Sequence, residues 1–326
     1  MLPPWYAAIQ SKAGKDMARI FTICGLMILF SGCLAAPDTT GNELSLAETL
    51  LAHEAILEFE PVELEQGVLD EIAAYLTHNG LESREVVIYR IRYASDAYEV
   101  MGYVAAPTDY IEREYPILIF NRGGNRGFGM LEPETIVGLA ALGYIALGSQ
   151  YRGVAGGTGM EQFGGDDIND VLKLIDISES FSFARQGGVY MAGVSRGGMM
   201  TYIASRMDDR IVAAAVWAAP SSLFGFGNPD VYLALIGGTP DELPEEYERR
   251  SAVYWADEIQ APLLIGHGGH RDIQVLTQHS INMSEALERY GRPHRLIIYP
   301  DAGHGLLGTG FLNEMDDWFR QHPVTN

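Results

Sequence analysis

The sequence predicts an α/β fold in which a mainly parallel central sheet is flanked by helices, with an antiparallel N-terminal edge and a short cap-like insertion. Three observations predict it. From residue 116 onward, short unbroken apolar segments alternate with longer amphipathic ones, as strands buried on both faces alternate with crossover helices. Ahead of them stand two β-rich segments, REVVIYRIRYA and AYEVMGYVAAP, parted only by Ser95 and Asp96, the pattern of a hairpin at a sheet edge. Residues 219–260 then break the alternation with a stretch that mixes apolar and acidic residues, an excursion over the strand ends rather than a second domain.

In chain order, residues 1–32 read as a signal peptide: Lys12, Lys15 and Arg19 precede the apolar run IFTICGLMILF, and small residues follow it. That run is too short for an ordinary membrane span. The stretch LFSGCL is similar to the lipobox of bacterial lipoproteins, with Phe30 where leucine is more usual, so Cys33 is expected to carry a lipid that holds the protein on the cell envelope. A plain signal peptide with Cys33 incidental is the alternative, and Met17 is a second candidate start. Residues 33–43 read as a tether, and 44–79 as a helical segment with helices expected at 46–59 and around 68–76. The main domain is expected to span 80–323. Its strands are predicted at 117–120, 144–149, 189–193, 211–217, 262–266 and 295–299, and its helices at about 134–141, 166–178, 197–207, 275–290 and 309–321.

Charge and cysteine content narrow the function. With 22 basic against 43 acidic residues the formal net charge is -21, which excludes a nucleic-acid backbone as a natural partner. Cys24 and Cys33 are the two cysteines, both in the N-terminal region, so the main domain has neither a disulfide nor a cysteine nucleophile.

The segment YMAGVSRGGMMTY places Ser195 where a strand hands over to a helix, between Gly193 and Gly197. Such a turn projects a serine from the strand end with a helix N-terminus behind it. A serine hydroxyl needs a base, and the base an orienting carboxylate. His304, in the loop DAGHGLLG after a strand, is the candidate base, and Asp272, after the strand PLLIG, the candidate acid. The order Ser195, Asp272, His304 is the one expected of an α/β-hydrolase. The oxyanion donors expected are the N–H of Arg196 and that of Gly124 or Asn125, in the loop NRGGNRGFG.

Other residues carry two readings. Phe224, Phe226, Tyr232 and Tyr254 either line an acyl pocket or pack the core. Arg122, Arg126 and Arg152 either anchor an acidic substrate group or pair with structural acids, the second being favoured by the acidic surplus. His267, His270 and Asp272 lack a further separated ligand, so no metal is expected, and no cofactor either, since the glycines around Ser195 do not have dinucleotide-binding spacing.

These stretches, taken together over about residues 80–321, resemble the catalytic domain of the prolyl oligopeptidase family of serine peptidases. ILIFNRGG resembles the oxyanion loop, QYRGVAGGTGMEQFGGDDINDVLKLID the segment after the next strand, GVSRGG the nucleophile elbow, SAVYWADEIQAPLLIGHG the approach to the acid, and YPDAGHG the histidine loop. The resemblance implies the same triad. The departures are Asn125 in place of a loop proline, Asn121 where a tyrosine donor is not found, and His267 one residue early relative to Asp272. Asn121 is read either as a substitute donor or as a residue that secures the loop. Peptide-cleaving members commonly carry a β-propeller, for which this chain has no room, so selectivity is expected from the 219–260 excursion if anywhere. The implied function is a peptidase on short peptides, with a carboxylesterase on small neutral esters as the alternative, and a non-catalytic surface-binding lipoprotein as the reading from another class.

Overall fold

The computed structural model describes residues 44–226, 229–306 and 308–325. The signal segment, the tether and Cys33 lie outside the described residues. In chain order the elements are α1 (Leu46–Ala52), β1 (Ile56–Pro61), α2 (Gln66–His78), β2 (Val86–Ser95), β3 (Tyr98–Pro107), β4 (Ile117–Asn121), α3 (Pro133–Ala141), β5 (Ile145–Ser149) and α4 (Asn169–Ser178). There follow β6 (Val189–Val194), α5 (Arg196–Met207), β7 (Ile211–Trp217), α6 (Pro229–Ile236), α7 (Pro244–Glu248), β8 (Leu263–Gly268), α8 (Gln278–Arg289), β9 (His294–Tyr299) and α9 (Phe311–Gln321). The strands form one sheet in the order β1-β2-β3-β5-β4-β6-β7-β8-β9. Pairing is antiparallel from β1 to β5 and parallel from β5 to β9. This is the expected mainly parallel sheet with an antiparallel N-terminal edge.

One expectation is corrected. The helix predicted over 46–59 stops at Ala52, and Ile56–Pro61 is a strand paired with β2. Ser45 starts α1 with a capping box, its hydroxyl accepting from the Glu48 N–H while Glu48 accepts from the Ser45 N–H. The open edge of β2 then offers a ladder of backbone hydrogen bonds that a short helix cannot match, and local periodicity does not register it. The new edge strand carries Glu58 and Glu60, which pair with Arg92 and Arg90 on β2. Charges of this kind blunt further edge pairing.

The sheet separates two apolar cores, because successive strand residues point to opposite faces. Ile117 and Ile119 of β4 join Leu46, Leu174, Met200 and Met283 from α1, α4, α5 and α8. Leu118 and Phe120 join Ile72, Ile136 and Phe319 from α2, α3 and α9. The carboxyl ends of the parallel strands, where loops collect, therefore lie between the mouths of two cores. The excursion is tied to the first of these: the Arg250 guanidinium donates to the carbonyls of Gln162 and Phe163, and Ser221 Oγ donates to the His279 carbonyl. Among the described residues no helix is long and apolar enough to cross a membrane.

Candidate active site

Strand β6 delivers Ser195 in a backbone conformation that side chains other than glycine rarely adopt, with φ 56 and ψ -124. Its N–H donates to the Trp217 carbonyl at 2.9 Å, which pins the turn to β7. The flanking glycines are needed for close approach. A Cβ on Gly193 would lie 2.2 Å from the Gly197 carbonyl oxygen, and one on Gly197 would lie 1.9 Å from the Asn121 carbonyl oxygen. Asn121 is fully buried and donates from Nδ2 to Thr201 Oγ1 at 2.9 Å, while Thr201 donates to the Gly197 carbonyl at 2.8 Å. Of its two readings, Asn121 therefore takes the securing one: its amide fastens β4 to α5.

The carboxylate of Asp272 is buried beyond the end of β8. His304 Nδ1 lies 3.1 Å from each of its oxygens, which places the ring proton on Nδ1 and leaves Nε2 able to accept one. The Gln274 and Val275 N–H groups donate to Asp272 Oδ1 at 3.1 and 3.0 Å. A second imidazole stands behind it. His267, with no exposed surface, directs Nε2 to the Val275 carbonyl at 2.9 Å and to Asp272 Oδ2 at 3.2 Å, and its Nδ1 accepts from Ser280 Oγ at 2.6 Å. Burial alone would raise the Asp272 carboxyl, but the hydrogen bonds from His267, His304 and the Val275 N–H outweigh it and hold the group well below the usual carboxylate range. Sequence reasoning set His267 aside as a weak metal signal; its place here is to hold the acid.

The loop after β4 is shaped by two buried guanidinium groups. Arg122 donates to the carbonyls of Gly123 at 3.0 Å, Gly129 at 3.2 Å, Arg126 at 3.4 Å and Gln150 at 2.8 Å. Arg196 donates to the Gly124 carbonyl at 3.2 Å and pairs with Glu161 at 2.5 Å and Asp167 at 2.6 Å. Both guanidinium groups lie against the ring of Tyr151, at 4.9 and 4.5 Å from its centroid. Burial, with Arg196 alongside, pushes the Arg122 guanidinium down to about 10. For Arg196 burial acts the same way, but Asp167 and Glu161 reverse it and the group is raised.

This arrangement has a consequence for the backbone. In a trans peptide the N–H points opposite to the carbonyl. Carbonyls of Gly123 and Gly124 anchored on guanidinium groups therefore turn the N–H groups of Gly124 and Asn125 the other way. Of the two, the Asn125 N–H faces the Phe128 carbonyl across an antiparallel bridge, whereas among the described residues the N–H groups of Gly124 and Arg196 donate to no protein acceptor. Arg152 is engaged elsewhere, pairing with Asp170 at 2.7 Å and Asp96 at 2.8 Å, whereas the Arg126 residue is exposed. The structural pairing favoured for Arg122 and Arg152 is thus observed. Sequence reasoning missed Glu161, Asp167 and Tyr151; the acid-rich run EQFGGDD beside an arginine-bearing elbow was the available signal.

Ser195 and His304 open onto one cavity of about 580 Å³. Among the described residues no hydrogen bond joins them, a contact that commonly tightens only around substrate. Phe226 and Tyr232 line the cavity, but Phe224 and Tyr254 do not. Those two correct the expected pocket: Phe224 stacks edge-on with Tyr254 at 5.7 Å, outside the cavity, and Tyr254 is 53% exposed. In an irregular segment no repeat tells which aromatic faces inward. A second correction is larger. The excursion supplies one wall, while Ile72, Tyr75 and Leu76 of α2 line the opposite end together with Phe311, Leu312 and Met315 of α9.

Comparison with known proteins places this geometry. The family model described as the prolyl oligopeptidase family matches residues 133–322. The chain is 30% identical over 228 residues to the uncharacterized peptidase YtmA of Bacillus subtilis, covering 68% of this chain and 88% of that protein. It is 25% identical over 215 residues to dipeptidyl-peptidase 5 of Porphyromonas endodontalis, where the match covers 62% of this chain and spans 27% of the relative. Among solved structures, the acylaminoacyl peptidase of Pyrococcus horikoshii superposes with a TM-score of 0.62 at 21% identity, covering 77% of this chain and 44% of that one. That likeness supports an α/β-hydrolase fold. With the matched family segment containing Ser195, Asp272 and His304, the chain belongs to the prolyl oligopeptidase family and is a serine hydrolase of the peptidase type.

Proposed function

We propose that the protein hydrolyses short peptides by acyl transfer through Ser195, with His304 as the general base and Asp272 as the orienting acid. One observation carries the reading: a buried, ionised Asp272 bonds His304 Nδ1, and His304 shares a cavity wall with a serine held on a strained turn. The sequence of steps follows from proton balance. Ser195 Oγ attacks the substrate carbonyl carbon as its proton passes to His304 Nε2, and Asp272 offsets the positive charge on the ring. The carbonyl oxygen, now an anion, is met by the N–H of Arg196 at the start of α5 and by that of Gly124. His304 then gives its proton to the leaving nitrogen as the C–N bond breaks. A water molecule, losing a proton to the same Nε2, repeats the attack, and the released acid leaves Ser195 as it began.

The same steps cleave esters. The apolar walls of the cavity favour, as a second reading, a carboxylesterase acting on small neutral esters. The test is a matched panel of peptide amides and alkyl esters with the wild type and Ser195→Ala, after titration of sites with a fluorophosphonate. Stoichiometric labelling and amide turnover, both lost in Ser195→Ala, are expected. Ester turnover with no amide cleavage would transfer the assignment to the esterase, and a folded protein that takes no label would remove both. The LFSGCL stretch further supports a lipid anchor on Cys33, expected to incorporate labelled palmitate in bacterial cells and to lose it in Cys33→Ser.

A further inference from the structure

The cavity beside Ser195 has two ends of different construction. At one, Phe163, Phe226 and Tyr232 belong to the core on the α4, α5 and α8 face of the sheet. At the other, Ile72, Leu76, Leu131, Leu139, Phe311 and Met315 belong to the core on the α2, α3 and α9 face. The cavity thus passes over the carboxyl edge of the sheet and enters the second core. Apolar interiors are ordinarily filled to crystal-like density, and unfilled space lined by buried side chains is destabilising. Here such space is kept next to a reactive serine, and it opens past Phe128 and Met130, which are 66% and 41% exposed.

We propose that this far arm is a subsite for a large apolar group on the leaving-group side of the substrate: an apolar residue after the scissile bond, or an alkyl chain on an ester oxygen. The proposal rests on the reading of Ser195 as nucleophile and His304 as base. The base that takes the serine proton returns it to the leaving atom, so the leaving group lies against His304. From His304 the cavity wall continues along the chain through Gly305 and Leu306 into α9, toward Phe311, Leu312 and Met315. Across from them α2 presents Ile72, Tyr75 and Leu76, at helical spacing i, i+3, i+4, so one face of this helix roofs the arm. The polar residues in this part of the wall are few. Glu132 and Thr135 stand near the start of α3, and Tyr75 is half-buried. A charged leaving group would find little to replace its water, whereas an apolar one sheds water at every added carbon.

The test uses acetyl-alanine esters with the acyl part fixed and the alcohol lengthened from ethyl to octyl, and a mirror series with the acyl chain lengthened on an ethyl ester. In the wild type kcat/KM is expected to rise about threefold for each alcohol methylene until the arm is full. The mirror series is expected to rise less. Ile72→Trp and Met315→Trp, which fill the arm from opposite walls, are expected to bring the octyl-to-ethyl ratio of kcat/KM close to one, while Tyr290→Ala on the surface keeps the wild-type ratio. Fluorophosphonate titration of each variant counts its folded sites, so a poorly folding variant still reports a ratio per site. A flat alcohol series, a steeper acyl series, or an unchanged ratio in both tryptophan variants would overturn the subsite. Absence of fluorophosphonate labelling in the wild type would instead overturn the nucleophile on which it rests.

Discussion

Ser195 and His304 line one cavity, and they are held by opposite means. The serine side is fixed by ions: Arg122 and Arg196, both buried, are balanced by Glu161 and Asp167 and brace the loop from 122 to 129 through its carbonyls. The histidine side is fixed by a chain of hydrogen bonds in which Ser280 holds His267, His267 holds Asp272, and Asp272 holds His304. The first support is rigid because each charge left alone in the interior would be costly. The second is a chain of hydrogen bonds that runs through a carboxylate, so it can orient a ring and also offset a charge formed on it. In the proposed mechanism the contrast suits two tasks, since oxyanion donors must stay still while the base gains and loses a proton.

Breaking the histidine side at its centre is expected to have the largest effect. In Asp272→Asn the imidazole loses the carboxylate that fixes Nδ1 as the protonated nitrogen, and kcat is expected to fall by roughly 10⁴ with the fold retained. Steady-state kinetics on an activated ester, with circular dichroism as the control for folding, measures it. On the serine side the comparable break is Arg196→Met, and it should behave differently. It strands Glu161 and Asp167 in the interior, with a loss of about 3–5 kcal/mol in stability to urea. The Gly124 carbonyl also loses its anchor, and kcat is expected to drop by roughly 10² as the loop that carries the Gly124 N–H drifts. Adding Glu161→Gln and Asp167→Asn to Arg196→Met should recover much of the stability but little of the rate. Recovery of both together would mean that the cluster only stabilises the fold.

How much of this could be read from the chain follows the same division. The elbow was legible because Gly193 and Gly197 are demanded by backbone contacts that leave no room for a Cβ, and such demands are written in residue type. Asp272 and His304 were legible because short apolar strands mark where the loops begin. The walls of the cavity were not. Phe226 and Phe224 are two residues apart in one segment, yet one lines the cavity and the other stacks on Tyr254 outside it. The part played by Ile72, Tyr75 and Leu76 was hidden for a related reason: α2 reaches the site by crossing the far face of the sheet, and local periodicity reports an apolar face without saying what it meets. β1 was lost to the same blindness, since its partner strand begins some distance further along the chain.

A milder cut on the histidine side separates orientation from charge. His267→Gln keeps a donor for Asp272 but loses the aromatic ring between it and Ser280, and it is expected to lower kcat by about tenfold while KM changes little. Ser280→Ala should cost less again. If His267 only filled space, KM, kcat and stability would shift together, and the pH at which kcat/KM reaches half its maximum would not move.

The smallest expected effect concerns acid. The folded protein holds the Asp272 carboxyl below the ordinary 3.8 of an aspartate, because bonds from His267, His304 and the Val275 N–H outweigh the opposing effect of burial. A group depressed on folding adds stability that is fully present above its unfolded value and disappears as pH falls through its folded one. The stability difference between wild type and Asp272→Asn should therefore be constant from about pH 5 to pH 6 and narrow progressively below about pH 4. Thermal melts across that range measure it. On the serine side the cation itself stays charged across this window: burial alone would lower the Arg196 guanidinium, but Asp167 and Glu161 outweigh it and raise the group.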